Sequence, residues 1–295
     1  MDPRIREHAS ILADHSVELE PGDDVVVAAP PAAEDLVVAL HEEIGDRGAN
    51  PVSLSSLDRA SRAYLRAADP EDFELPAHKM ALYEAMDAFV AVRAQTNATE
   101  KGDVDPATQA AHRRANRPAL EERLSKRWVV TQFPATGNAQ LAEMSCEAYE
   151  NFVWDAVNKD WAAQREHQAD LVDILEGAEA VRVVSGETTD VRLPIHGNPP
   201  INDYGENNLP GGEVFTAPVP DGVEGEVLFD MPLYHQGREI EDVHLRFEDG
   251  EVVEHSAAKN EETLTSVLET DEGARRLGEL GIGMNRDIDR FTYNM

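Results

Sequence analysis

The sequence predicts an α/β protein in which an N-terminal parallel α/β domain, residues 1–178, precedes an α+β domain, residues 179–295. Three observations support this prediction. In the first half, short strands that are apolar throughout alternate with helices, a pattern typical of a parallel sheet covered on both faces. After Gly177 the hydrophobic residues instead alternate with a period of two, as in antiparallel strands. The pair Asp249-Gly250 between two such runs indicates a hairpin.

Apolar runs and apolar spacing predict the elements of the first domain. Short apolar runs predict strands at 25–29, 52–55, 88–92 and 128–133. Apolar residues three or four positions apart predict helices at 4–16 and 34–45, a short helix is expected at 80–86, and a basic, polar helix is expected at about 107–126. A further helix is predicted to begin at a capping Asp58. Because no G-x-G-x-x-G follows the first strand and no Walker-type Gly-Lys-Ser/Thr occurs, the sheet itself predicts no cofactor.

The remaining elements connect the domains and build the second one. Ser145 is predicted to cap a helix with buried aromatic residues, and a second helix follows over 161–176; both are expected to bridge the domains. Apolar or alternating runs predict strands at 180–184, 191–195, 226–229, 243–247 and 252–253. A helix is predicted over 260–271, and residues 278–283 are expected to form a glycine-rich loop.

The composition allows a packed core but carries an extreme charge. Of 295 residues, 41% are hydrophobic, and 58 acidic against 26 basic residues give a formal net charge of −32. Such a chain repels itself in dilute buffer and is better tolerated near molar salt, where the Debye length is about 3 Å. We therefore expect a halophilic protein from a salt-loaded cytoplasm. The acidic residues are spread along the chain, which disfavours a dedicated site for a basic ligand, and nucleic acid is disfavoured for want of a basic patch.

Cysteine usage and the N-terminus bear on the compartment. The only cysteine, Cys146, cannot form a disulfide within the chain, which favours a reducing, cytoplasmic interior. Cys146 is expected to pack as a small apolar residue at the start of a helix rather than to act as a nucleophile. The N-terminal Met-Asp-Pro-Arg lacks the apolar core of a signal peptide, and no apolar run approaches the length of a membrane span.

Two glycine-flanked glutamates are the candidate metal ligands. Glu213 follows Gly211-Gly212 and precedes the strand-forming Val-Phe-Thr, so the backbone can approach a ligand while a strand holds the carboxylate. Glu279 lies in the run Leu-Gly-Glu-Leu-Gly-Ile-Gly. Either glutamate alone is most simply a solvated turn residue. Together they predict two carboxylates that face each other in a divalent-metal site.

Longer passages around these glutamates carry a resemblance to a known family. In the second half the similar passages are 208–218, which reads Asn-Leu-Pro-Gly-Gly-Glu-Val-Phe-Thr-Ala-Pro, 237–243, 258–264 and 273–285. In the first half they are Pro21-Gly22-Asp23, Gly48-Ala49-Asn50-Pro51 and 140–145. They resemble the thermophilic-type metalloaminopeptidases, the family of aminopeptidase T and aminopeptidase S. The resemblance covers nearly the whole chain.

The resemblance implies exopeptidase chemistry, in which a homodimer removes the N-terminal residue of a peptide at a two-metal centre. In that pattern Glu213 and Glu279 match two metal-binding glutamates, and no catalytic residue is assigned. Two metal ions about 3.5–4 Å apart can share a carboxylate, bind a hydroxide nucleophile and polarise the scissile carbonyl. Carboxylate and imidazole ligands would suit zinc, cobalt or manganese.

One departure from the family pattern concerns the remaining ligands. A histidine in a Thr-x-His-type segment and a later His/Asp pair would lie beyond Met295. We therefore expect a catalytic, metal-binding domain that is incomplete at its C-terminus, in a chain that is inactive or weakly active. Each of the nearest substitutes in sequence is more simply a surface or strand histidine. These substitutes are His196, His235, His244 and His255.

The main alternative is a non-catalytic α/β binding module that keeps the architecture and has lost its metals. It predicts no stoichiometric metal after dialysis. A phosphate cradle at 278–283 is disfavoured because no strand is predicted before it and Glu279 would repel phosphate. A serine hydrolase would need a G-x-S-x-G elbow, which the sequence lacks, and nothing in the sequence activates Cys146 as a catalytic thiol.

Overall fold

The computed structural model describes residues 1–235 and 238–293, and the chain forms two compact units. The first unit consists of Met1–Trp161, Gly205–Gly211 and the described part of Arg286–Met295. The second unit consists of Ala162–Tyr204 and Gly212–Asn285. The domains predicted at 1–178 and 179–295 remain a prediction of domain organisation. Gly237, which begins one of the similar passages, lies outside the described residues.

The helices and strands are numbered in chain order. The helices are α1 (Pro3–Ile11), α2 (Glu34–Asp46), α3 (Asp58–Ala67), α4 (Ala77–Ala85), α5 (Pro106–Leu124), α6 (Thr136–Leu141), α7 (Cys146–Val157), α8 (Trp161–Glu176) and α9 (Glu261–Leu268). The strands are β1 (Asp24–Ala29), β2 (Asn50–Ser55), β3 (Ala88–Arg93), β4 (Arg127–Gln132), β5 (Ala180–Ser185), β6 (Thr189–Pro194), β7 (Ile201–Asp203), β8 (Asn208–Leu209), β9 (Glu213–Thr216), β10 (Glu224–Phe229), β11 (Leu233–His235), β12 (Arg238–Ile240), β13 (Val243–Glu248), β14 (Glu251–Ser256) and β15 (Leu280–Gly283). Within the described part of the chain, no helix has both the length and the apolar character needed to cross a membrane.

The first unit is built on a parallel sheet in the order β2-β1-β3-β4-β8. The three valines at 25–27 in β1 are all buried, although their side chains alternate between the two faces of the sheet. On one face, Val26 and Phe89 pack with Tyr83 of α4 and Ala119 of α5. β1 and β3 are mostly buried, as their apolar runs predicted, whereas the edge strand β2 is largely exposed.

The second unit contains a five-stranded antiparallel sheet in the order β14-β13-β10-β6-β5. Asp249 and Gly250 form the turn between β13 and β14, both with positive φ, as a tight hairpin turn requires. The inner side chains of this sheet pack with α9 in one apolar cluster. Its buried members are Val191, Leu193, Val223, Ile240, Val243, Phe247, Val252, Leu264 and Leu268. Together, the two units give the predicted α/β fold class.

A separate three-stranded antiparallel sheet in the second unit, in the order β15-β9-β7, contains Glu213, and Glu279 directly precedes its strand β15. One face of this sheet is apolar: Val214 packs with Leu175 of α8, and Leu280 and Ile282 contact the same cluster. Because side chains alternate along a strand, Glu213 points to the opposite face from Val214. The packing of Val214 against α8 thus fixes the face of the sheet on which the Glu213 side chain lies.

Three local predictions from the sequence are wrong, while the Ser145 cap of α7 is confirmed. Asp58 does not cap α3, because its carboxylate pairs with Lys101 Nζ at 2.8 Å. Cys146 is exposed, since the buried side of α7 begins at Tyr149. The glycine-rich segment predicted as a loop contains β15, because its apolar residues pack while its glycines face the other way.

Candidate metal centre

Of the two predicted metal ligands, Glu213 lies in the three-stranded sheet and Glu279 immediately precedes its strand β15. In the antiparallel pair of β9 and β15, Glu213 is opposite Gly283 and Phe215 is opposite Gly281. Opposite residues share a face, and every second residue along a strand returns to it. Glu279 immediately precedes β15 and, besides burial, its charge raises the pKa of Glu213, so the two carboxylates lie near each other. The structure brings together two carboxylates that are distant in the sequence.

The absence of a side chain at Gly281 makes room for the Glu213 carboxylate. A Cβ atom at Gly281 would lie 2.9 Å from Glu213 Oε2 and 4.0 Å from its Cδ. Since the backbone of Glu213 is opposite Gly283, a carboxylate over Gly281 has extended along β15 toward Glu279. A Cβ atom at Gly283 would meet no atom within 4 Å. The Glu213 carboxylate thus occupies the space that a side chain at residue 281 would fill.

The surroundings of Glu213 disfavour its negative charge. Burial raises the pKa of Glu213, and the charges of Asp203 and Glu279 raise the same pKa further. Asp203 is opposite Glu213 on β7 and is buried. A divalent cation would offset this repulsion, because every carboxylate of the group attracts it. The electrostatics of the site therefore fit a bound cation.

A buried glutamine that sequence reasoning missed contacts the backbone of the site. Gln168 of α8 is 0% exposed, and its Nε2 donates to the backbone oxygens of Asp203 and Glu213, each at 3.1 Å. Gln164 lies one helical turn earlier, on the same side of α8 as Leu175. Two glutamines on the apolar side of a helix are the sequence signal that could have identified this contact.

The site residues fit a divalent cation as part of a ligand set. Carboxylate oxygens are good donors for such ions. Among residues 1–235 and 238–293, no group of three or more His, Cys, Asp or Glu side chains is arranged to hold a metal. Two of the predicted substitute histidines have other partners: His244 Nε2 lies 3.3 Å from a Glu226 oxygen, and His255 Nε2 lies 2.9 Å from Thr265 Oγ1.

Comparison with known proteins identifies the family. Residues 1–295 match the family model described as thermophilic metalloprotease (M29). The chain belongs to this family. Aminopeptidase 2 of Geobacillus stearothermophilus is 29% identical over 320 residues, which cover 95% of this chain and 76% of that protein. Aminopeptidase T of Thermus thermophilus is 30% identical over 301 residues, which cover 90% of this chain and 74% of that protein.

A solved structure agrees with the family assignment. Wild-type AmpT from Thermus thermophilus matches this M29 protein with a TM-score of 0.81 at 28% identity, over 95% of this chain and 78% of that chain. The match confirms the predicted fold class. Membership of the family confirms the predicted enzyme class, a metallopeptidase, and implies a divalent-metal cofactor. The number of metal ions and the ligand roles of Glu213 and Glu279 remain predictions.

Proposed function

We propose that this M29 metallopeptidase is an aminopeptidase that hydrolyses the N-terminal residue of peptides at a two-metal centre containing Glu213 and Glu279. The observation that carries the proposal is the proximity of the two carboxylates: Glu213 extends over Gly281 and, besides burial, the charge of Glu279 raises the pKa of Glu213. The exopeptidase activity is supported by the relatives, which are named aminopeptidases.

Each residue of the site has a definite part in this proposal. Bound zinc, cobalt or manganese would supply a Lewis acid for the scissile carbonyl and a hydroxide nucleophile. Glu213 and Glu279 hold the ions, and the pairing of β9 with both neighbouring strands keeps the Glu213 backbone in place. Asp203 adds negative potential beside them, which attracts both the ions and the α-ammonium group of a peptide.

We further propose that the 295-residue chain binds its metals weakly and is inactive or weakly active. Glu213 and Glu279 offer two carboxylates, and the described residues supply no third His, Cys, Asp or Glu in a metal-binding arrangement with them. A catalytic metal ion generally takes three protein ligands. Two carboxylates therefore leave most of the coordination of two ions to water.

Metal-dependent turnover of aminoacyl anilides tests the proposal. We expect slow turnover with added cobalt or zinc, and Glu279→Gln should lower it by more than the about 10–100-fold loss typical of an outer-shell substitution. Glu272→Gln, an exposed glutamate of the same segment, is the matched control and should change little. Fast turnover that Glu279→Gln abolishes would support the metal role and contradict the weak activity.

Two other outcomes of this assay oppose the proposal. Turnover that survives Glu279→Gln, or that needs no metal, contradicts the assigned ligand. If the purified chain shows neither turnover nor stoichiometric metal after dialysis, the non-catalytic binding module is the better description.

The proposal includes a homodimer in a salt-rich cytoplasm. The dimer is implied by the resemblance to the family, and the compartment by the single cysteine and the net charge of −32. Sedimentation equilibrium in molar potassium chloride tests the assembly. We expect twice the chain mass of 32.5 kDa, and a species of 32.5 kDa would contradict the dimer.

A further inference from the structure

One buried side chain of α8 connects this helix to two strands of the site sheet. Gln168 Nε2 donates to Asn202 Oδ1 at 2.5 Å and to the backbone oxygens of Asp203 and Glu213, each at 3.1 Å. Asn202 and Asp203 belong to β7, and Glu213 is the first residue of β9. The side-chain amide of Gln168 therefore contacts the end of β7 and the start of β9, the strand that begins with Glu213.

A second glutamine extends this connection to the third strand. Gln164 Nε2 donates to Gln168 Oε1 at 2.7 Å and to the backbone oxygen of Met284 at 3.2 Å. Met284 directly follows β15. Because Gln168 Oε1 accepts from Gln164, the amide of Gln168 is oriented with its Nε2 toward the strands. The two glutamines together contact the ends of β7, β9 and β15.

Backbone hydrogen bonds at Gly212 complete the same junction. Gly212 N donates to Asp203 O at 2.8 Å, and Gly212 O accepts from Met284 N at 2.6 Å and from Asn285 N at 2.9 Å. Asp203 O therefore accepts from both Gly212 and Gln168. Gln168 and Gly212, the residue that precedes Glu213, thus donate to the same backbone oxygen.

Apolar packing alone does not account for a glutamine at this position. Leu175 occupies the same side of α8 and is buried by apolar contacts. A buried amide must satisfy its hydrogen-bonding groups, and Gln168 does so with the strand ends and with Gln164. The polar side chain lies where the helix meets the start of the Glu213 strand.

We propose that Gln168 is a positioning residue, which fixes the backbone of Glu213 so that its carboxylate crosses Gly281 toward Glu279. The metal-affinity test of this proposal rests on the proposed function. A second test measures the protection of backbone amides against hydrogen exchange and needs no metal.

The substitution Gln168→Met removes these hydrogen bonds and keeps a side chain of similar length. We expect the Co²⁺ affinity, titrated by visible absorption, to fall about tenfold, as when an outer-shell partner of a metal ligand is lost. In the metal-free protein we expect faster hydrogen exchange at the amides of 212–216 and 284–285, because local opening becomes easier. Exchange in β1 should not change.

Two further variants serve as controls. Asn138→Met removes a buried amide of the first unit, whose Oδ1 accepts from Gln95 N and Gln132 Nε2. It should lower stability while leaving the Co²⁺ affinity within twofold of the wild type. Gln164→Met leaves Gln168 in place and should produce a smaller change of the same kind as Gln168→Met.

The outcomes separate this inference from the proposed function. A folded Gln168→Met variant with Co²⁺ affinity within twofold of the wild type overturns the inference. If Gln168→Met does not fold, the same measurements on Gln164→Met decide. If the wild-type chain binds no Co²⁺, the proposed metal centre fails, and hydrogen exchange decides the role of Gln168: unchanged protection at 212–216 overturns it.

Discussion

At the scale of single residues, the position of the Glu213 carboxylate depends on the space around it, and the charge of the His8 ring depends on its burial. The Glu213 carboxylate occupies space that is available because residue 281 is glycine. The His8 ring is buried in the first unit, with Nε2 2.6 Å from Thr131 Oγ1 and its centroid 5.5 Å from the Trp154 ring. Its Nδ1 has no hydrogen-bond partner among the described residues. A single substitution tests each dependence.

The space at Gly281 predicts the effect of one methyl group. In Gly281→Ala, the new Cβ would stand 2.9 Å from Glu213 Oε2, so the flexible carboxylate must move away. We expect Co²⁺ affinity to fall about tenfold, comparable to the loss of an outer-shell partner. The melting temperature should change little, because the backbone at Gly281 does not have a positive φ.

Gly283→Ala is the matched control for this substitution. It lies on the same strand and face, and its Cβ would meet nothing within 4 Å. Equal Co²⁺ affinities for the two alanine variants would show that the space at Gly281 does not determine the position of the Glu213 carboxylate.

The buried His8 predicts a loss of stability in acid. Burial lowers the pKa of His8 from 6.5 to about 3. The unfolded chain therefore takes up a proton first as the pH falls. The stabilisation by the neutral ring is complete above pH 6.5 and declines progressively toward pH 3. Between pH 6.5 and about pH 5 we expect the free energy of unfolding to fall by about 2 kcal/mol from this residue.

Urea unfolding at pH 7 and at pH 5 measures this contribution. His8→Gln removes the titrating group, so the variant should lose about 2 kcal/mol less than the wild type between the two pH values. His78→Gln, at an exposed histidine, should behave like the wild type. The same pH dependence in wild type and His8→Gln would argue against a neutral buried ring.

At the scale of elements, the junction of β7, β9 and β15 depends on one glycine. Gly212 has a φ of +99°, and a Cβ there would lie 2.6 Å from Asn285 Cβ. Both the backbone conformation and the space therefore require glycine. The three strands meet at this residue through the hydrogen bonds of its N–H and its carbonyl to Asp203 and Met284.

Gly212→Ala is expected to destabilise the second unit by more than its backbone conformation alone would cost. Gly22→Ala is the control, because Gly22 has a φ of +94° and a Cβ there would meet nothing within 4 Å. The left-handed backbone should cost about 1–2 kcal/mol in each variant. Gly212→Ala should lose at least about 1 kcal/mol more, as overpacked sites do. Equal losses in urea unfolding would exclude the contact with Asn285 as the cause.

The sequence predicts elements well where apolar pattern and packing coincide. Strands β1 to β4 of the parallel sheet and the helix Trp161–Glu176 follow from that pattern, whereas β8 of the same sheet is not predicted. β15 is missed because its alternate glycines resemble a loop, and the short β7 is missed because it follows two prolines. Within the candidate site, the flanking glycines are the sequence signal that predicts Glu213 and Glu279 as ligands. Gln168 and Asp203 escape notice because their roles come from contacts between segments distant in the sequence.

At the scale of the whole molecule, charge is the dominant feature. Surface ion pairs neutralise some carboxylates, as where Arg276 contacts Asp221 and Glu251. With 26 basic and 58 acidic residues, a net charge of −32 remains however the ion pairs are arranged. Exposed ion pairs contribute little to stability, so net repulsion between carboxylates outweighs them in dilute buffer.

The net charge predicts that salt stabilises the protein. From 0.1 M to about 2 M potassium chloride we expect the midpoint of thermal unfolding to rise by about 5 °C or more, because the Debye length falls well below the spacing of surface charges. Potassium sulfate at equal ionic strength is the control. Equal shifts indicate screening, whereas a larger shift in sulfate indicates exclusion of the salt from the surface. An unchanged midpoint in potassium chloride would remove the halophilic interpretation.

The open position at Gly283 offers a way to observe the site without catalysis. Gly283 is opposite Glu213, and a side chain there begins in empty space. The single native thiol, Cys146, is exposed and can be replaced by serine. A nitroxide attached to Gly283→Cys would then stand beside the carboxylates. Its spin relaxation would register an arriving Mn²⁺ ion directly, whether or not any peptide is cleaved.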